Sequence, residues 1–281
     1  MTFGPLIDTA ALAARLGEPG LVILDASAYL PGEGRDAHAE YRAGHLPGAR
    51  FFDIDVFSDP ETDLPHMAPS AGRFARLAGA LGIDRDSRVV VYDQKGLFSA
   101  ARAWWLFRLF GQASVAVLDG GWPKWRDEGR AVETGEPGPA APAIYRADFH
   151  AGLLRGLGDV RDNLVSQAEL LLDARAAARF AGQAPEPRPG LAGGHVPGSV
   201  NLPFNALLAP DATLKPVAEL RRLFATAGVD GSRPVITSCG SGLTAAVLGL
   251  GLTVAGLGWA GLYDGSWAEW GARDDLPRAT G

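Results

Sequence analysis

Short, uninterrupted apolar runs punctuate this chain, and longer stretches with helical spacing separate them. Residues 21–24, 89–92 and 115–118 are too short for helices and rich in Val and Leu, so they predict strands. Residues 73–81 and 100–110 between them predict helices. In the second half, 170–172, 235–237 and 253–257 are the strand candidates. Strands that are apolar throughout and alternate with helices predict a parallel sheet covered on both faces. From 240 to 263 no residue is charged, a length that could span a bilayer. Gly249, Gly251, Gly256, Gly258 and Gly261 interrupt it. The expectation is therefore a buried helix followed by a buried strand, with Ala255-Gly256-Leu257-Gly258 as the break.

The pattern is written twice. Leu24-Asp25-Ala26 recurs as Leu172-Asp173-Ala174, and Gly44-His45-Leu46-Pro47-Gly48 as Gly194-His195-Val196-Pro197-Gly198. The run Val89–Asp93 matches Val235–Cys239, and Leu118-Asp119-Gly120-Gly121-Trp122 echoes Tyr263-Asp264-Gly265-Ser266-Trp267. Order is kept and the offset stays between 145 and 150 positions, which predicts two α/β domains of similar size. The expected bounds are 1–136 and 161–281, joined by a linker at 137–160 that begins in a Gly/Pro/Ala-rich stretch.

Composition narrows the chemistry. A hydrophobic content of 47% and a charged content of 21% allow a substantial core, so disorder is excluded. The net charge is -6 and no Lys/Arg-rich block stands out, so neither a nucleic-acid partner nor a membrane one is expected. The first eight residues lack the basic and apolar regions of a signal peptide. A single cysteine excludes an internal disulfide and a cysteine-based zinc site, and suits a reducing compartment, with the cytoplasm as the expected location.

That cysteine, Cys239, is the richest chemical signal. It ends an apolar run and is followed by Gly240-Ser241-Gly242-Leu243-Thr244 and a helix-like stretch. A strand therefore delivers the thiol to a tight loop opening into a helix, where backbone N–H groups and the helix dipole favour a thiolate nucleophile. A buried packing cysteine is the competing reading, but packing does not call for glycines at 240 and 242. The first copy has Asp93 at this position, so the second copy is the expected catalytic half. His45 and His195 recur in both copies within Gly-His-x-Pro-Gly turns and are read as structural, as are Asp25 and Asp173. Asp59, Glu61, Asp63 and His66 are irregularly spaced among prolines and read as a solvated loop, not a metal site.

Two α/β repeats, a cysteine loop in the second copy alone and paired Gly-His-x-Pro-Gly motifs resemble the tandem-domain rhodanese-type sulfurtransferase family. Within it, Cys239-Gly240-Ser241-Gly242-Leu243-Thr244 resembles the Cys-Gly-Ser-Gly-Val-Thr loop of the 3-mercaptopyruvate sulfurtransferases, with Leu243 for Val. Phe51–Asp55, Pro65-His66-Met67 and Arg179-Phe180 followed by Pro185-Glu186-Pro187-Arg188 match the same subfamily. The resemblance implies that Cys239 takes sulfur from a small-molecule donor as a persulfide, releases pyruvate, and passes the sulfur to a thiol acceptor or cyanide. The acceptor class it suggests is a small thiol or a thioredoxin-like protein. It makes Arg179 and Arg188 the clamp for the donor carboxylate, a task that suits the guanidinium fork. It makes Gly240, Gly242, Leu243 and Thr244 the substrate-binding loop, and couples Ser241 to His66 and Asp55 as a proton relay. It implies no metal or organic cofactor. Thiosulfate:cyanide sulfurtransfer and a non-turnover persulfide carrier are the alternatives. A cysteine phosphatase is disfavoured because Ala245 stands where its Cys-x5-Arg loop needs arginine.

Overall fold

The computed structural model describes residues 4–281. Met1–Phe3, where the first expected domain begins, lie outside the described residues. The chain forms two compact units. The first comprises the described residues up to Pro60, then Ala68–His150 and Ala209–Leu214; the second comprises Glu61–Met67, Ala151–Leu208 and Lys215–Gly281.

In the first unit the order is β1 (Leu6–Ile7), α1 (Thr9–Ala13), β2 (Leu21–Asp25), α2 (Ala37–Ala43), β3 (Arg50–Phe51), α3 (Ala71–Ala80), β4 (Arg88–Tyr92), α4 (Ala100–Leu109), β5 (Val115–Leu118) and α5 (Gly121–Asp127). The strands make one parallel sheet in the order β1-β5-β4-β2-β3. In the second unit the order is β6 (Leu154–Arg155), α6 (Leu157–Ser166), β7 (Leu170–Asp173), α7 (Ala177–Phe180), β8 (Val200–Asn201), α8 (Val217–Thr226), β9 (Val235–Ser238), α9 (Ala245–Ala255), β10 (Gly261–Tyr263) and α10 (Ser266–Trp270). Its sheet is parallel with the order β6-β10-β9-β7-β8, the first unit's connectivity over again. The fold is thus α/β, twice.

The central strands are buried on both faces, as their continuous apolar sequence requires: every residue of β5, β7 and β9 is buried. Trp104, Trp105 and Trp125 fill the first unit's core, and Trp267 and Trp270 the second's. His45 and His195 are structural: each sets its Nδ1 2.9 Å from the carbonyl oxygen at or near the end of the preceding helix, Tyr41 and Phe180 respectively. Each imidazole also stacks on the ring of that residue.

One expected strand is corrected. Residues 253–257 are not a strand: Thr253 to Ala255 close α9, and Gly256 caps it in the left-handed region at φ 68°. The third strand is Gly261–Tyr263. Two β-branched residues mislead locally, but α9 is buried from Ala245 to Leu252 and its neighbours set its path. A side chain at Gly249 would enter the Trp259 ring, and a Cβ at Gly251 would lie 2.8 Å from Leu207 Cδ1. The glycines therefore mark close helix packing, which outweighs their weak helix propensity. Among the described residues no helix is long and apolar enough to cross a membrane.

Candidate active site

Cys239 follows the last residue of β9, whose register places Ser238 beside Asp173 of β7. The thiol-bearing residue is 2% exposed. Its backbone is pinned from behind by the start of α10. Cys239 N–H donates to Ser266 Oγ at 3.3 Å, Trp267 N–H donates to Cys239 O at 3.0 Å, and Ala268 N–H to Gly240 O at 2.9 Å. Ser266 holds a left-handed φ of 50°, and its hydroxyl donates in turn to Tyr263 O at 2.8 Å. The loop then turns at Gly242, φ 82°, and enters α9 at Ala245. Leu243 and Thr244 are buried beside it.

The first unit displays what a loop of this shape can hold. There Asp93 replaces the cysteine, and its Oδ2 accepts the amides of Phe98, Ser99 and Ala100 at 2.7, 2.9 and 2.8 Å. Its Oδ1 accepts the amide of Lys95 at 2.9 Å. The loop has closed around its own carboxylate, an anion nest in the strict sense. The equivalent positions in the second unit are Ser241, Thr244, Ala245 and Ala246.

Ser241 is 3% exposed and meets His66 within the second unit. His66 Nδ1 lies 3.0 Å from Ser241 Oγ and 3.3 Å from Ser241 O. A proton on Nδ1 makes the ring a donor to either oxygen; without it the ring accepts from the hydroxyl. His66 is held at a φ of 62°, a conformation that a non-glycine residue keeps only when its surroundings impose it. Asp55 belongs to the first unit and is exposed, its amide accepted by Asp53 Oδ1 at 2.9 Å.

Arg179, at the end of α7, lies against the cysteine loop. A Cβ at Gly240 would stand 3.0 Å from Arg179 Nη2. The guanidinium does not stand alone: its Nε and Nη2 both donate to Glu186 Oε2, the former at 3.1 Å. Glu186 Oε1 accepts from Arg175 Nη1 at 2.7 Å. Arg175 in turn grips Asp173, with Nη2 2.7 Å from Oδ2, donates to Gly194 O at 2.8 Å, and lies 4.5 Å over the Trp267 ring. Burial works against the charge on Arg175, but the Asp173 and Glu186 carboxylates outweigh it and hold its pKa above the ordinary value. Arg188 is half-buried, two residues beyond Glu186 on the same loop.

Of the side chains that sequence reasoning named as candidates, the structure places Cys239, Ser241, His66, Arg179 and Arg188 in the second unit and Asp55 in the first. That reasoning overlooked Arg175, Glu186 and Ser266. The signals were present: an acidic residue clamped between Pro185 and Pro187, and a serine where the first copy has Gly121. Gly121 has a φ of 52°, so the left-handed position is built into both copies.

Comparison with known proteins agrees with the two-unit fold. The rhodanese-like domain model matches residues 8–128 and again residues 157–273. The chain belongs to this family and carries its domain twice. It is 43% identical over 98% of its length to the mitochondrial thiosulfate/3-mercaptopyruvate sulfurtransferase 1 of Arabidopsis thaliana, covering 78% of that protein. It is 44% identical over 92% of its length to the 3-mercaptopyruvate sulfurtransferase of Homo sapiens, covering 87% of that protein. The crystal structure of SseA from Escherichia coli, described as a 3-mercaptopyruvate sulfotransferase, superposes with a TM-score of 0.86. Identity there is 37%, covering 94% of this chain and 99% of that one.

Proposed function

We propose that this protein is a 3-mercaptopyruvate sulfurtransferase in which Cys239 carries the sulfur. The observation that carries the reading is the gathering, on one loop, of the only thiol in the chain, a hydroxyl bonded to histidine, and a guanidinium lying on Gly240. The similarity to relatives of that name supports it.

In the first half-reaction the Cys239 thiolate attacks the sulfur of 3-mercaptopyruvate. A sulfur–sulfur bond forms, the carbon–sulfur bond breaks, and its electron pair leaves on carbon as the enolate of pyruvate. The proton lost by the substrate thiol balances the one the enolate gains. Ser241 and His66, bonded to each other, are the groups that move it. Arg179 and Arg188 hold the donor carboxylate. The amides of the 240–244 loop hold the terminal persulfide sulfur, as the matching amides of Lys95 and Phe98 hold Asp93 in the first unit. In the second half-reaction an acceptor thiolate attacks the outer sulfur, and Cys239 leaves as thiolate. With no second cysteine in the chain, the persulfide cannot collapse to an internal disulfide. The acceptor is a small thiol or a thioredoxin-like protein, and a reducing compartment, the cytoplasm, keeps the thiol available.

Thiosulfate is a second donor to consider, because the Arabidopsis relative's name carries both substrates. Initial rates of pyruvate release, with 3-mercaptopyruvate and an acceptor thiol varied together, test the reading. Parallel double-reciprocal lines are expected for a persulfide intermediate. Converging lines, or turnover with thiosulfate and none with 3-mercaptopyruvate, would refute it.

A further inference from the structure

The two arginines nearest β7 and α7 are part of a continuous chain of alternating charge: Asp173, Arg175, Glu186, Arg179. Every link is a hydrogen-bonded ion pair within the second unit. The inner members have almost no exposure, with side chains of Arg175 and Glu186 at 1% and 2%. Arg179, the outermost, keeps 19%. Two positive and two negative groups leave the chain formally neutral.

We propose that Glu186 is a positioning residue that sets donor selection in this enzyme, an assignment resting on the sulfurtransferase reading above. Two observations carry it. The first is geometric. Glu186 occupies the Nε side of the Arg179 guanidinium, so the donor hydrogens remaining on Nη1 and Nη2 are those directed away from it, and Nη2 is the atom that lies on Gly240. The carboxylate itself cannot drift, because Pro185 and Pro187 flank it and Arg175 anchors its other oxygen. Arg175 is fixed by Asp173, Gly194 and Trp267. The second observation is electrostatic. Glu186 neutralises a cation that would otherwise raise the positive potential at the loop. A planar monocarboxylate needs an aimed fork; a compact dianion needs net positive charge. Glu186 supplies the aim and withholds the charge.

The test compares two donors, 3-mercaptopyruvate and thiosulfate, across Glu186→Gln, Glu186→Asp and Gly240→Ala. Glu186→Gln is expected to raise KM for 3-mercaptopyruvate by about tenfold, the scale of one charge-assisted hydrogen bond, with kcat changed less. KM for thiosulfate is expected to fall, so the two donors move in opposite directions. Glu186→Asp retains the charge but shortens the reach, and is expected to raise KM for 3-mercaptopyruvate without improving thiosulfate. Gly240→Ala leaves the inner pairs of Arg175 with Asp173 and Glu186 untouched and pushes only on Arg179 Nη2, at the outer end of the chain, and is expected to raise KM for 3-mercaptopyruvate in a protein that melts like wild type. If both donors lose kcat/KM by one common factor in Glu186→Gln and Gly240→Ala has no effect, Glu186 is merely structural and the assignment is overturned. A wild type that takes no sulfur from 3-mercaptopyruvate overturns the functional reading itself, and this assignment with it.

Discussion

Ser266 shows how a single residue can fix the backbone of the proposed nucleophile. Its hydroxyl accepts the Cys239 amide and donates to Tyr263 O, and those two bonds keep the residue at a φ that a side chain ordinarily avoids. The first copy solves the same backbone problem with Gly121, which needs no side-chain support. Ser266→Ala still asks a side chain to hold the left-handed φ but loses both bonds that support it, leaving the buried Cys239 amide without its acceptor. The expected cost is about 1–3 kcal/mol of unfolding free energy, with slower persulfide formation in the protein that remains folded. Urea denaturation measures the first and a single-turnover assay the second. An unchanged midpoint would show that the loop is held by the α10 amides alone.

At the scale of elements, the internal repeat was the most legible feature of the sequence. It predicted two α/β units, and the two sheets share one strand order. Helices α3 and α4 and strands β2, β4 and β5 were visible because each is a continuous or periodic apolar pattern. The two-residue strands β1, β3, β6 and β8 were not, because two residues carry no periodicity. The misplaced strand at 253–257 came from weighing Thr253 and Val254 locally. The repeat's own alignment of Leu118 with Tyr263 pointed to Gly261–Tyr263. For the candidate site, what the sequence offered were residues with distinctive chemistry in a motif: Cys239, Ser241, His66, Asp55, Arg179 and Arg188. Glu186 and Arg175 escaped because their importance lies in pairing with each other, and pairs eleven residues apart in a loop leave no pattern in sequence.

Across the whole molecule, the two copies have diverged in how they carry charge inside. In the second, Asp173 is paired with Arg175. In the first, Ser27 stands where the second copy has Arg175, and Asp25 accepts from Ser27 and Gln94 and is fully buried. Burial raises its pKa to about 6 against the hydrogen bonds that pull it down. The folded state therefore binds a proton that the unfolded chain has released between about pH 4 and 6, so this group's contribution makes stability fall as pH rises through that window. Asp25→Asn removes the titration. Its stability relative to wild type is expected to grow by up to about 3 kcal/mol from pH 4 to pH 7, as followed by denaturant melts. A difference that stays constant with pH would contradict the assignment.

The central claim is that Cys239 accepts sulfur from 3-mercaptopyruvate. The most direct test is an intact-mass measurement after mixing the purified protein with 3-mercaptopyruvate and no acceptor, with Cys239→Ser in parallel. The account predicts the gain of one sulfur on the wild type only, with an equivalent of pyruvate released, and loss of that sulfur when a thiol is added. Sulfur on the Cys239→Ser variant, or a wild type that gains sulfur from thiosulfate but none from 3-mercaptopyruvate, would contradict it.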